Sequence, residues 1–211
     1  MKRLILLLAA VLLAFTWTLA VGAQQDSSSW SGEIGSEATV YPSFADYSWF
    51  SLSFDVAAFT LFSTTSLSYA SPISISQTLG LSYGLDWFTL GSKLSTPIYP
   101  SAFSSIVATI YSTVTLFEVP LGNPSSFSGA VGASATVYPA VTDDVWLDLS
   151  LVLDAFSVTS KTSLALMPFG FSQQRIDLGF AFDGFSVYVW GALSGATFDP
   201  SGGVGFLYGF P

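Results

Sequence analysis

Residues 146–164 read WLDLSLVLDAFSVTSKTSL. Leu147, Leu149, Leu151 and Leu153 alternate with Trp146, Asp148, Ser150 and Val152. A period of two puts the leucines on one face of a strand and the other residues on the opposite face. At Asp154-Ala155 the apolar phase flips. A two-residue break with such a flip marks a tight hairpin. If Leu153 pairs with Phe156, paired numbers sum to 153 + 156 = 309, and Asp148 then faces Lys161. The register predicts a cross-strand ion pair there, on the polar face.

The same alternation runs through Phe50, Leu52, Phe54, Val56 and through Ile176, Leu178, Phe180, Phe182. No segment shows helical spacing. Twelve strands are predicted, at about 28–41, 47–56, 59–69, 74–85, 88–96, 103–116, 125–138, 144–153, 156–166, 172–182, 185–195 and 202–210. Tight breaks at Ala57-Ala58, Asp86-Trp87, Asp154-Ala155 and Asp183-Gly184 alternate with looser ones. The looser ones run from Pro42 to Asp46, Ala70 to Ile73, Pro97 to Ala102, Pro139 to Asp143, Met167 to Phe171 and Ala196 to Ser201. A stretch from Glu118 to Pro124 stands apart as the join between halves. Tight turns at one end and looser loops at the other describe an up-and-down meander.

The chain also repeats itself. SGEIGSEATVYP (31–42) returns as SGAVGASATVYP (128–139), an offset of 128 − 31 = 97. Over 31–69 against 128–166, 18 of 39 positions are identical without a gap. The reading is a duplication, with repeats at about 28–124 and 125–211, of six strands each. The period is too long for a solenoid coil or a single propeller blade. Glu33 and Glu37 become Ala130 and Ser134, whereas Ile34, Ala38 and Val40 become Val131, Ala135 and Val137. One face is kept and the other relaxed.

Met1-Lys2-Arg3, an apolar run and Val21-Gly22-Ala23 before Gln24 read as a secretory signal peptide over 1–23, with one domain over 24–211. Beyond it only Lys93, Lys161 and Arg175 are basic, against fourteen acids, a balance of 3 − 14 = −11. Such a surface has nothing to neutralise phosphates, so nucleic acid is not an expected partner. Charged residues make up 9% of the chain, well under the roughly 25% usual for soluble domains. After the leader no run of 18 apolar residues follows, so no spanning helix is expected. The apolar surface of the strands needs another home.

Strands of about ten residues match the 9–11 that cross a bilayer at a tilt. An even number of strands can close and leave no edge. Aromatic residues gather near strand ends: Phe59, Phe88, Phe156 and Phe185 after tight turns, and Tyr41, Trp49, Tyr69, Tyr138 and Trp146 toward the looser loops. Val204, Phe206, Tyr208 and Phe210 form an aromatic stripe along the last strand, although Pro211 follows it. In these features the mature chain resembles the bacterial outer-membrane β-barrel class, porin-like in character. It is similar also to Ser/Thr/Phe-rich exported β-repeat proteins of bacteria. The expected fold is all-β: an up-and-down antiparallel barrel of about twelve strands, built from two six-stranded repeats. The expected address is the outer membrane, with lipid as partner. The alternative is a secreted or cell-surface β protein of surface-layer type without transport activity.

No His and no Cys occur, which removes Ser-His-Asp triads, thiolate chemistry and His- or Cys-based metal sites. No enzyme activity, cofactor or metal is expected. Asp143-Asp144 is expected in a loop, as a solvated pair rather than a cation site. Glu33 and Glu37 share a face but carry no glycosidase signature. Gly202-Gly203 and Gly205 lack the lysine and helix of a phosphate loop. The candidate lumen-lining charges are Glu33, Glu37, Asp55, Lys93, Asp148, Lys161, Arg175 and Asp177. Five acids against three bases in a narrow wet lumen imply a small passive pore for ions or small solutes, with a mild cation preference.

Overall fold

The computed structural model describes residues 28–69, 72–100 and 105–211. The segment read as a signal peptide lies outside the described residues, as does position 103, where the sixth strand was expected to begin. Among the described residues there are twelve strands and no helix. They are β1 (Ser28–Tyr41), β2 (Ala45–Val56), β3 (Phe59–Ser68), β4 (Ser74–Leu85), β5 (Phe88–Tyr99) and β6 (Val107–Gly122). Then follow β7 (Ser125–Tyr138), β8 (Thr142–Leu153), β9 (Phe156–Leu166), β10 (Phe169–Phe182), β11 (Phe185–Ser194) and β12 (Asp199–Phe210). Each strand pairs antiparallel with its sequence neighbours, and β1 pairs with β12, so the sheet is a closed barrel.

The hairpin turns follow local chemistry. Asp183 and Gly184 have φ of 46° and 77°, the two positive angles that a type I′ turn requires. Leu153 pairs with Phe156 and Asp148 with Lys161, as the sum of 309 predicts.

Several boundaries differ from expectation: β2 begins at Ala45, β8 at Thr142, and β5 runs on through Pro97 to Tyr99, where a loop is expected. The stretch from Glu118 is strand, and β6 runs through Pro120 to Gly122 before turning at Asn123-Pro124. Pairing of β5 with β6 stops at Phe88↔Val114, so this part of β6 has a partner on one side only, where proline is tolerated. Bulges at Leu116 and Leu121 absorb the irregularity. Met167-Pro168 is a two-residue turn, because β10 begins at Phe169 and takes up its extra residue as a bulge at Ser172. Strand β12 begins at Asp199, and Asp143-Asp144 lies on β8 rather than in a loop.

Sidedness follows from one contact. Arg175 stands on β10 and Glu37 on β1, with β11 and β12 between them. Three strand spacings amount to about 14 Å along the sheet. Yet Arg175 Nη2 lies 2.7 Å from Glu37 Oε2. Only side chains on the concave side can meet along such a chord, so Arg175 and Glu37 point inward. The ladder carries that assignment round the barrel. The inner face is mostly Ser, Thr, Gly and charge, with aromatic rings set among them. The outer face carries Ile34, Phe50, Leu79, Leu147, Ile176, Phe180, Val189, Val204 and Phe206, all exposed. Burial is slight: Phe54, Val56 and Leu61 form the one small apolar cluster among the described residues. An apolar exterior round a polar interior reverses the order of a soluble domain.

Tyr41 and Tyr138 reach the outer face through bulges. Val40 and Val137 are passed over in the ladder, so Tyr41 pairs with Gly202 and Tyr138 with Ala108, a one-residue shift that changes face. Trp49 and Trp146 correct the expectation of an outer aromatic girdle, because both lie on the inner face. Each rests over the glycine opposite, and a Cβ on Gly35 or Gly132 would come within 2.2 or 2.3 Å of its ring. Further direct pairs of the same kind are Phe62 on Gly80, Tyr111 on Gly91, Tyr188 on Gly205 and Trp190 on Gly203. A ring laid flat across a neighbouring glycine takes up wall rather than lumen.

Gly203 sits at the closing ladder, where a Cβ would stand 2.1 Å from the carbonyl oxygen of Ala38 on β1. Backbone cannot yield there without opening the barrel. Gly203→Ala is expected to destabilise the folded barrel by roughly 1–3 kcal/mol in reversible urea titration from lipid vesicles. Gly191→Ala, with nothing within 4 Å, is the control and should change stability little. Equal effects of the two substitutions would remove the closing ladder as the cause.

Candidate functional site: the inner wall

The chemically distinct part of the inner wall lies near mid-strand. Arg175 is its hub. Its guanidinium gives two bonds to Glu37, at 3.2 and 2.7 Å, and three to Asp177, two residues along β10. Tyr188 on β11 donates its hydroxyl to Glu37 Oε2 at 3.0 Å. The guanidinium carbon lies 4.6 Å from the Trp190 ring centroid. Arg175, Glu37 and Asp177 are each about a quarter exposed. A forked donor answered by two carboxylates and backed by an indole is the arrangement for which arginine is suited and lysine is not.

A second group stands beside it. Lys161 on β9 lies 3.9 Å from Asp148 on β8, and its ammonium is 4.7 Å from the Trp146 ring centroid. Both charged side chains are close to half exposed, so the pair contributes little stability. Glu33 accepts a hydrogen bond from Trp49 Nε1 at 2.7 Å, and Asp55 accepts one from Thr60 at 2.5 Å. Lys93 faces Gly80 and Thr109 across its ladders and forms no ion pair among the described residues.

By register these eight charged residues share the face of Arg175 and Glu37. The structure brings together Glu37, Arg175 and Asp177, and separately Asp148 and Lys161; Asp55 and Lys93 stand apart from both, and Glu33 shares only a cavity with the first. The same face holds Glu118, Asp144 and Asp199, which the sequence pattern places in or beside loops. Tyr188 and Trp190 were also missed. A period of two places both with Ser186 on the inner side, and Gly203 and Gly205 opposite them were the available signal. Asp46 and Asp143 are charged strand residues on the outer face, each near the loop end of its strand.

A cavity of about 380 Å³ opens on this wall, lined by Glu33, Glu37, Tyr47, Trp49, Thr64 and Arg175. Another of about 410 Å³ lies at the seam beside Gly209, Phe210 and Pro211. Among the described residues no three acidic side chains converge as a metal site. What the arrangement can do chemically is present fixed charge, hydroxyls and aromatic faces to whatever occupies the lumen.

No protein-family model matches the chain, and comparison with curated proteins finds no match. Solved structures do match. The KdgM porin aligns with a TM-score of 0.57 at 12% identity, over 86% of this chain and 99% of that one. Outer membrane phospholipase A from Escherichia coli aligns at 0.49 and 11%, over 85% and 92%. A mutant of the Rh. blastica porin aligns at 0.43 and 16%, over 78% of this chain but only 55% of that one. The chain has the fold of the outer-membrane β-barrels, in a closed twelve-stranded form.

The two ion pairs should separate in double-mutant cycles. Glu37→Gln with Arg175→Gln is expected to show a coupling of about 1.5–3 kcal/mol in urea titration, as for partly buried, charge-assisted bonds. Asp148→Asn with Lys161→Gln should show under about 1 kcal/mol. A larger coupling for the second pair would mean that exposure and distance are poor guides to this wall.

Proposed function

We propose that the chain is an outer-membrane pore through which ions or small solutes pass passively, with a mild preference for cations. The observation that carries this reading is the composition of the inner wall. It keeps small hydroxylated residues and glycine, and it carries more carboxylates than bases. Eight-stranded barrels are filled by their own side chains, whereas sixteen strands leave a channel. Twelve strands lined by small residues, with aromatic rings laid over glycines, leave a narrow wet passage. Residues 1–23 serve as the export signal, and the outer apolar belt meets lipid. A duplicated six-stranded unit is the simplest origin of the chain: Trp49 over Gly35 and Trp146 over Gly132 stand 97 residues apart (146 − 49) in matching places. The KdgM porin is a porin by name and supports this reading through fold alone. The chemistry of the wall supplies the rest.

Purified protein in planar bilayers should give stepwise conductance, with a reversal potential displaced toward the cation in a salt gradient. Glu33→Gln should reduce that displacement, because it removes a carboxylate that no base answers. Silence in the bilayer, or anion selectivity, contradicts the proposal. Release of the native protein from the envelope by chelator, rather than by detergent alone, points to the surface-layer alternative.

A further inference from the structure

The inner wall already holds one ammonium group over an indole. Over Trp146, the ammonium of Lys161 lies 4.7 Å from the ring centroid and 3.9 Å from the carboxylate of Asp148. Trp49 occupies the corresponding place in the first half, laid over Gly35 as Trp146 is over Gly132. Its surroundings differ in one respect that matters. Where the second half has Lys161, the first has Thr64 (161 − 97 = 64), and where it has Asp148 the first has Ser51 (148 − 97 = 51). Those two hydroxyls bond each other at 2.8 Å. A carboxylate is nevertheless present. Glu33, whose counterpart is Ala130, holds the Trp49 indole nitrogen at 2.7 Å. Tyr47, whose counterpart is Asp144, stacks beside Trp49 with centroids 5.5 Å apart.

At this place the first half therefore has the indole, a second ring and a carboxylate, but Thr64 where the other has a lysine. Among the described residues no lysine or arginine stands over Trp49. Thr64, Trp49, Tyr47 and Glu33 all line the cavity of about 380 Å³. Arg175 and Glu37 complete it, and that guanidinium is answered by Glu37 and Asp177 and covered by Trp190. Cations are drawn to aromatic faces by the ring quadrupole, and more strongly where a carboxylate stands by.

We infer that this cavity binds an organic ammonium ion from solution, in the place that Lys161 takes in the other half. The site deepens the pore reading and rests on it for access from the lumen. Its ligand class is an alkylammonium, primary or quaternary, small enough for the cavity. Recognition comes from the faces of Trp49 and Tyr47, with charge from Glu33. An uncharged molecule of the same shape lacks both attractions.

The test uses the full purified protein in detergent micelles, with tetramethylammonium and propylammonium chlorides as probes and tert-butanol as an uncharged match. Calorimetry and tryptophan fluorescence report binding. Saturable binding of both ammonium ions is expected, with none for tert-butanol at the same concentration. Thr64→Lys supplies the missing ammonium from the wall and should weaken binding at least tenfold. Glu33→Gln keeps an acceptor for the indole N–H but removes the charge, and should weaken it several-fold. Heat-modifiable gel mobility checks that each variant is folded, and Glu33→Gln decides the matter if Thr64→Lys is not. Unchanged affinity in the folded variants, or equal binding of tert-butanol, overturns the site. Bilayer recordings separate it from the pore reading. Binding without conductance removes the pore and keeps the site. Conductance with an ammonium current that never saturates removes the site and keeps the pore.

Discussion

An edge strand leaves a row of peptide groups without hydrogen-bond partners, and the ladder between β1 and β12 is where this chain meets that constraint. From Gly32↔Phe210 to Tyr41↔Gly202 it joins the two strands that would otherwise be edges. An open sheet of this composition would show lipid or water two rows of unpaired backbone. Closure also fixes sides. Once the ladder returns to its start, each residue's face is set by parity and bulges, not by local choice. The chord from Arg175 to Glu37 exists only because the sheet has curled far enough to bring β10 opposite β1. That cluster is a consequence of closure, and it in turn ties β10 and β11 to β1 across the seam.

Curling a sheet this tightly crowds its inner side, and the chain answers with glycine opposite aromatic. Gly91 on β5 faces Tyr111 on β6, whereas 97 residues on (188 − 91) Tyr188 on β11 faces Gly205 on β12. The large and small partners have changed strands, but the pair survives. Such an exchange says that the constraint is on the sum of the two, not on either residue. The pairing is an aromatic covering for a glycine that would otherwise leave the wall thin. The arrangement also shapes the lumen, because a ring lying on its neighbour shows its face rather than its edge. Two of those faces are already taken by Lys161 and Arg175.

Alternation was legible in the sequence because it is local. Leu147 to Leu153 needs no knowledge of the rest of the chain, and the facing of Asp148 and Lys161 follows from one hairpin turn. What escaped was of two kinds. Bulges at Val40, Val137 and Ser172 each shift the ladder by one residue, and nothing in their side chains announces it. Nonlocal contacts were the other kind: Glu37 and Arg175 are 138 residues apart and meet only through closure. The aromatic residues misled for a related reason. Trp49 and Trp146 look like membrane-interface residues taken singly, and only the glycine opposite shows which way they lie. Pro120 falls in the stretch expected to join the two halves, whereas β6 continues through it because that part of the strand has a free side.

The two faces also treat polar side chains differently. On the outer face Gln77 donates to Ser63 at 2.8 Å and accepts from Thr65 at 2.7 Å. Gln174 donates to Ser160 at 2.9 Å and accepts from Thr162, the same three residue types 97 positions on (174 − 77). Each cluster pairs its own polar atoms, which satisfies them without water on an otherwise apolar face. On the inner face the matching positions diverge, as Ser51 and Thr64 against Asp148 and Lys161 show. The outer face also differs between the two stretches: Ser48 donates to Ser36 at 3.0 Å, where the positions 97 residues on carry Val145 and Ala133. That outer exchange adds no charge, whereas the inner ones do. Among the aligned strand positions, gain or loss of charge is confined to the inner wall, as at Glu33/Ala130, Asp55/Val152 and Thr64/Lys161, and those are the residues to vary first.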